Sequence, residues 1–359
     1  MPLRIGTSTI SGFTIARNVE ALGYPFIESV RAALPLCDEF IISEGFSTDR
    51  TWEAVQALAN HFPDKIRIRR DRWSDSPDNG EVIAHISNRA LADCRSSHCL
   101  YVQANEVVHE DALGAIAALP HAFPRRLLFS LPVHNILGRD TLWLHQGRNR
   151  LFRRTTGVCI TGDGYDAGIT GGPFALRRWG LRATERWVSR HERMGARGVY
   201  DRSMLPAAIF RYRALCPANY LRKIEVRRAM ARAGPFRMRW DEEWNAAHRA
   251  AAHSQGDPAT FWALLAPFFA RRPGTPDDVP EDRAPTASPL ARVADSPAVM
   301  RGVGQHWEFD FEGSLSALAS AAPGPLGSAV PGESPGGVRA RGSRASRCRR
   351  SAGRWRATH

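Results

Sequence analysis

The chain has 359 residues, 43% hydrophobic and 9% aromatic, enough to pack one large domain or two ordinary ones. Its formal charge is +13, yet residues 321–359 carry eight arginines against one acid, Glu333, so +7 of the excess sits in a stretch rich in Pro, Gly and Ser. That distribution argues against nucleic-acid binding by the folded body, and six scattered cysteines with no CxxC pair argue against a disulfide framework or a zinc site.

The first half alternates apolar runs with helical spacing. Ile10–Ala16 reads as a buried strand, followed by a helix near Glu20–Leu34 with Phe26, Ile27, Val30 and Leu34 on one face. Phe40–Ser43 is a second strand, and Thr48 or Asp49 can cap the helix running through Trp52, Val55 and Leu58. Ile66–Arg70 is a third strand, Val82–Leu91 a helix, Cys99–Gln103 a fourth strand, and His109–Leu119 a helix. Arg126–Val133 is a fifth strand, placed at a sheet edge by Pro132. Repeated strand–helix units predict an α/β fold, a mostly parallel sheet with helices on both faces. Beyond Arg150 the pattern loosens into glycine-rich loops over 156–172. A strand over 207–214 and helices over 217–233, 240–253 and 258–270 follow. Residues 271–298 read as a linker, 299–318 as a short apolar remnant and 321–359 as a disordered basic tail. With no leader pattern and no apolar run of about 18 residues, the chain is expected to be cytoplasmic, or peripheral to the inner face of a membrane through a basic helix such as 220–232.

In an open parallel sheet, ligands bind beyond the carboxyl ends of the strands. The polar residues there are Arg17-Asn18, then Glu44 with Ser47-Thr48-Asp49, then Arg72-Trp73-Ser74-Asp75, then Asn105-Glu106. Each also has a plain structural reading: Ser47–Thr51 suits a helix cap as well as a nucleotide contact, and His85 and Asn88, one turn apart, suit a shared polar face. Gly162–Gly168 follows no clear strand and opens no helix, which argues against a dinucleotide fingerprint; P-loop, GxSxG and HExxH motifs are absent.

The order GFTIARN, DEFIISEGFSTDRT, DRW and LYVQANEVVHED resembles family-2-type glycosyltransferases of the Rossmann-like GT-A fold, and within them a bacterial branch with a Q-G-D-E-x-x-H-E-like motif. The resemblance covers about residues 8–215. It implies a GT-A domain over 1–215 and, beyond it, a helical C-terminal extension over 216–320. It also implies transfer of a sugar, with inversion, from a UDP- or GDP-linked donor to a glycan, lipid or small-molecule acceptor. On that basis Asn18, Glu44, Ser47 and Asp49 would contact the donor nucleoside, and His85 and Asn88 would face its pocket. Asn105-Glu106 would stand where such enzymes hold Mg²⁺ or Mn²⁺, with Glu106 as metal ligand. Two departures weaken that metal site: neutral Asn105 replaces an aspartate, and Arg211 replaces a histidine in an I-x-H-Y pattern. Arg211 would then neutralise the leaving diphosphate itself. Asp163 and Asp166 are the candidate bases, with Glu106 and Glu110 as alternatives. Two other functions stay open on the same residues: a catalytically silent nucleotide-sugar binder or scaffold, and nucleic-acid contact through the arginine-rich tail.

Overall fold

Alternation along each strand decides which layer its side chains enter. In β2 (Glu39–Glu44), Phe40 and Ile42 join one apolar cluster and Ile41 the opposite one, the period-two consequence of a pleated backbone. The computed structural model describes residues 7–138, 141–155, 157–169, 208–270, 291–292, 297–300 and 310–321.

Beside β2 lie β1 (Ile10–Ala16), β3 (Ile66–Arg70) and β4 (His98–Tyr101), all parallel. The sheet continues through β7 (Thr141–Arg153), β6 (Leu128–Leu137), β10 (Ile209–Tyr212) and the short β5 (Glu106–Val108). Its order is β3-β2-β1-β4-β7-β6-β10-β5. β6 and β10 run with the first four strands, while β7 and β5 run against them. A two-residue strand, β11 (Ala291–Arg292), adds to β7, and β8 (Val158–Thr161) pairs with β9 (Asp166–Ile169) as a separate hairpin.

Helices cover both faces. On one face α1 (Phe26–Ala33), α2 (Thr51–His61) and α4 (Leu113–Ala122) bury Phe26, Val30, Val55, Leu58 and Ile116 against Phe40, Ile42, Phe129 and Leu131. On the other, α3 (Glu81–Ala92) and the β8–β9 hairpin bury Ala84, Ala90, Ile160 and Ala167 against Phe13, Tyr101 and Phe152. A third cluster joins α5 (Pro217–Met230), α6 (Pro235–Ser254) and α7 (Pro258–Ala270) through Tyr220, Ile224, Trp240, Ala247, Phe261 and Leu265, with Leu137 and Ala214 at its base. Each of these three helices begins at a proline, a residue suited to the first turn, where its missing N–H has no partner to lose. The architecture is the mostly parallel, Rossmann-like α/β sheet that the GT-A resemblance implies. No described helix is long and apolar enough to cross a membrane.

Several expectations need correction. Pro132 does not mark an edge: β6 lies inside the sheet, but its pairing to β10 spans only Val133–Ile136, so Pro132 is not asked to donate on that side. β7 is a 13-residue strand in a stretch where no strand was expected, and the glycine-rich segment expected as loops over 156–172 holds the β8–β9 hairpin. Residues 17–25 form a loop rather than the first turns of a helix, and Gly23 there takes φ +61°. The apolar remnant near 299–318 contains α8 (Phe311–Ser320), whose Phe311, Leu315 and Leu318 join the cluster of α1 and α2 rather than that of α5–α7. Most of the expected linker and nearly all of the expected tail lie outside the described residues.

Candidate functional site

At the carboxyl ends of β1, β2 and β3 two loops are stitched together. The Asn18 N–H donates to Ser47 Oγ at 3.0 Å, Thr48 N–H to Asn18 Oδ1 at 2.8 Å and Val19 N–H to Thr51 Oγ1 at 2.8 Å. Asp49 accepts from Ala21 N–H at 2.9 Å and from Thr51 N–H at 3.0 Å, one bond on each oxygen. Buried Glu44 does the same, accepting from Ser47 N–H at 2.6 Å and from Arg70 Nε at 2.8 Å. Of the two readings of Ser47 and Asp49, this geometry is that of a brace and cap. What the brace presents is Phe46, held at φ +54° and 39% exposed, with the Arg70 and Arg72 guanidinia over its ring at 4.1 and 4.7 Å. A bulky residue in the left-handed region is costly and persists only where its surroundings demand it. Trp73 stands alongside, its indole N–H buried without a partner and the Arg17 guanidinium 5.8 Å from its ring.

The centre of the site is built from β4, β7, β10 and the hairpin turn. Glu106 is fully buried, and Arg150, also fully buried, donates Nε to Oε2 at 2.8 Å and Nη2 to Oε1 at 2.7 Å. Burial alone would raise the Glu106 carboxyl, but the Arg150 guanidinium outweighs it and holds it below the usual range. Arg211, directly across the ladder from Glu106, lies 3.7 Å from Oε1. Its hydrogen bonds go to neutral acceptors, Gln103 Oε1 at 3.2 Å, Asn135 Oδ1 at 3.3 Å and Tyr165 Oη at 3.3 Å. The Tyr165 ring has Arg148 at 3.9 Å and Arg211 at 4.7 Å. Burial works to raise its phenol, and these two guanidinia reverse the shift and lower it.

Asp166, about 31% exposed, accepts from the Asn149 and Ala167 N–H groups at 2.6 and 3.0 Å, and lies 3.8 Å from Arg148 and 3.9 Å from Arg150. Its enclosure prevails over both guanidinia and raises its carboxyl above the ordinary value. Asp163 packs against the start of α3, its Cβ 2.9 Å from where a Cβ on Gly80 would stand. The turn between them needs Gly164: φ is +76°, and a Cβ there would meet Ile83 Cγ2 at 2.2 Å. The Gly164 carbonyl accepts from Tyr101 Oη at 3.1 Å and from Gln103 Nε2 at 3.0 Å, which pins the hairpin to the end of β4.

The helical layer supplies the flank. Lys223 on α5 is buried; it donates to the Arg213 carbonyl at 3.1 Å and its ammonium lies 4.9 Å from the Tyr24 ring. Burial, together with Arg213, Arg211 and Arg227, pushes its ammonium well below the usual lysine range. Arg213 pairs with buried Glu243 at 2.5 Å.

The predicted residues thus fall into three groups. Asn18, Ser47, Asp49 and Glu44 brace the rim; Glu106, Arg211 and Asp166 meet at the centre, with Asp163 one turn away; His85 and Asn88 sit on α3. Asn88 clamps the hairpin backbone, donating to the Ile160 carbonyl and accepting from its N–H, both at 2.8 Å, while His85 is exposed. Asn105 is buried and donates its amide to the Tyr212 carbonyl at 2.6 Å, a bond that a carboxylate cannot make. Arg148, Arg150 and Tyr165 escape the sequence reading, and Lys223, expected on the surface of the basic helix 220–232, is buried instead. The signal for the first two is Arg148-Asn149-Arg150 on a strand, where alternation sends both arginines to one face.

A divalent cation of the magnesium type seeks hard anionic oxygens. Both Glu106 oxygens are engaged by Arg150, Asn105 is neutral and bound to backbone, and among the described residues no group of three His, Cys, Asp or Glu gathers. These residues do not fit Mg²⁺ or Mn²⁺, and the ligand role expected of Glu106 gives way to an ion pair.

No family model matches the chain, and no curated protein does. Among solved structures it is similar to S. aureus TarS, with 12% identity over 76% of this chain and 50% of that one and a TM-score of 0.33; the chain therefore spans half the length of TarS. It is similar to glucosyl-3-phosphoglycerate synthase from Mycobacterium tuberculosis in complex with Mn²⁺, UDP and glucosyl-3-phosphoglycerate, with 21% identity over 36% of this chain and 44% of that one and a TM-score of 0.25. It is also similar to the mannosyltransferase PcManGT from Pyrobaculum calidifontis in complex with GDP-Man and Mn²⁺, with 14% identity over 74% and 87% and a TM-score of 0.32.

Proposed function

We propose that the chain is a glycosyltransferase that takes a sugar from a UDP- or GDP-linked donor and passes it, with inversion, to an acceptor hydroxyl. One observation carries this reading. Around the end of β4, among the described residues, four buried arginines, Arg148, Arg150, Arg211 and Arg213, lie with the buried carboxylates Glu106 and Glu243 and the partly exposed Asp166, and Arg211 directs its hydrogen bonds to uncharged acceptors. Buried charge is costly unless it is compensated, so the excess is suited to an anionic ligand such as a diphosphate. The Phe46, Arg70, Arg72 and Trp73 surface, on the adjoining strands, suits a stacked nucleobase.

In this reading the acceptor oxygen forms a bond to the anomeric carbon as the bond from that carbon to the phosphate oxygen breaks. The electron pair leaves with the diphosphate and meets the guanidinium of Arg211. The hydroxyl proton passes to a carboxylate, for which Asp166 is the leading candidate because its raised affinity for protons suits a base working near neutrality; Asp163 is the second. The bracing residues Asn18, Glu44, Ser47 and Asp49 serve by holding the nucleoside side of the crevice. A second reading, binding without turnover, is favoured by the closed pairing of Glu106 with Arg150.

Titration of UDP, GDP, ADP and CDP by calorimetry, followed by assays of nucleotide release from the corresponding sugar donors, tests both. Micromolar binding of UDP or GDP with slow release from its sugar form supports the enzyme, and binding without release supports the silent binder. Failure of all four nucleotides to bind sinks both.

A further inference from the structure

Building on the donor reading above, we propose that this site holds and discharges a nucleotide diphosphate without a divalent cation. In this arrangement the guanidinium of Arg150 occupies the Glu106 carboxylate, and Arg211 and Lys223 face the phosphates.

Three features of the chain support it. First, both oxygens of Glu106 are engaged: Arg150 takes both in a fork, the Gln103 N–H adds a third bond at 3.2 Å on Oε2, and Arg211 stands 3.7 Å from Oε1. A planar guanidinium matched to a carboxylate in this way is a rigid, permanently charged partner. A dication entering there would have to displace one guanidinium and approach a second of like sign.

Second, the neighbour that would have to supply another anionic oxygen is Asn105, whose amide group donates to the Tyr212 carbonyl while the Asn105 carbonyl accepts from the Tyr212 N–H at 2.9 Å. This reciprocal pair locks the residue just before β5 to the end of β10. The position therefore calls for a donor, and an aspartate would set its negative charge against a carbonyl oxygen.

Third, the positive charge that a metal would bring is already present on the protein. The hydrogen bonds of Arg211 go to three uncharged acceptors, and Lys223 donates to the Arg213 carbonyl. When the anomeric carbon–oxygen bond breaks, the electron pair departs on the diphosphate, and the fixed guanidinium of Arg211, joined by Lys223 once it has gained a proton, meets that charge with no metal ion to recruit. Lys223 is held low in proton affinity by burial and by Arg213, Arg211 and Arg227, so arrival of a diphosphate favours its protonation.

The full chain tests this by two independent measurements. Calorimetry with UDP and with GDP, in EDTA and in MnCl₂, is expected to give affinities within about twofold of each other, with a proton taken up on binding. Loss of about tenfold or more in EDTA, restored by Mn²⁺, overturns the proposal. Electron paramagnetic resonance of Mn²⁺ is expected to show the free-ion signal undiminished by equimolar protein, with and without nucleotide; a stoichiometric protein-bound signal overturns the proposal even if no nucleotide binds. Failure of every nucleotide to bind under both conditions is a different result and overturns the donor reading itself. Arg211→Gln should weaken UDP or GDP about tenfold in EDTA, whereas Arg211→Lys, which retains the charge, should stay within about threefold. Equal losses in both variants would assign Arg211 to packing and overturn its place here.

Discussion

Arg150 and Glu106 form a two-pronged ion pair, 2.7 and 2.8 Å long, in which neither side chain has any solvent exposure. The pair joins β7 to the beginning of β5, and around it are arranged Arg211, Tyr165 and Asp166. Breaking it from one side strands a buried charge, at a cost of about 3–5 kcal/mol. Arg150→Met and Glu106→Gln should each lose stability on that scale in urea unfolding, and the double variant should lose clearly less than the sum. Because the Glu106 carboxyl is held below its ordinary value in the fold, its stabilisation is present above the unfolded value of about 4.3 and is lost as pH falls through the folded one. Glu106→Gln should therefore flatten the acid side of the stability curve.

Asn105→Asp exchanges a donor for an acceptor opposite the Tyr212 carbonyl. The orphaned carbonyl and the new buried carboxylate should cost about 1–3 kcal/mol at neutral pH, with part of the loss recovered on acidification as the aspartate gains a proton. Thermal unfolding between pH 7 and 5 reads both. Unchanged stability would mean that the Asn105–Tyr212 clasp contributes nothing.

Asp166 binds its proton more tightly than an ordinary aspartate, for which the value is about 3.9. As the base it must be ionised, so kcat/KM should fall as pH drops through a value above that. Asp166→Asn should reduce turnover by about 10²–10⁴-fold with donor affinity little changed. Retained turnover with the same acid limb would transfer the role to Asp163.

Phe46→Gly separates binding from stability. Glycine takes φ +54° without strain, which offsets the loss of the arginine contacts, so unfolding free energy should change by less than about 1 kcal/mol. If the ring stacks on a nucleobase, affinity should drop by roughly 1–3 kcal/mol. Equal affinity in the variant would remove Phe46 from the site.

The rim of the site was legible in the sequence because its residues are local. Glu44 to Asp49 lie in one loop after one apolar strand, and the capping pattern there announces a turn into a helix. The cationic centre was legible only at Arg211. Arg148 and Arg150 sit in a stretch, His145-Gln-Gly-Arg-Asn-Arg150, that has no apolar alternation to mark a strand. Pairing with β4 on one side and β6 on the other makes it an interior strand.

The apolar periodicity alone determined the parallel αβ core, because burying Phe13, Phe40, Ile42 and their neighbours depends on spacing along a single segment. That Asn105 and Glu106 follow β4 was readable from the same periodicity; that Glu106 opens a further strand, β5, was not. The partners those two residues take were decided only by tertiary structure. Glu106 meets Arg150, 44 positions away, and Asn105 meets Tyr212, 107 positions away. Pairings at such separation are set by strand order and by the sign of every neighbouring charge. Strand order thus decided that the Glu106 carboxylate is closed by an arginine.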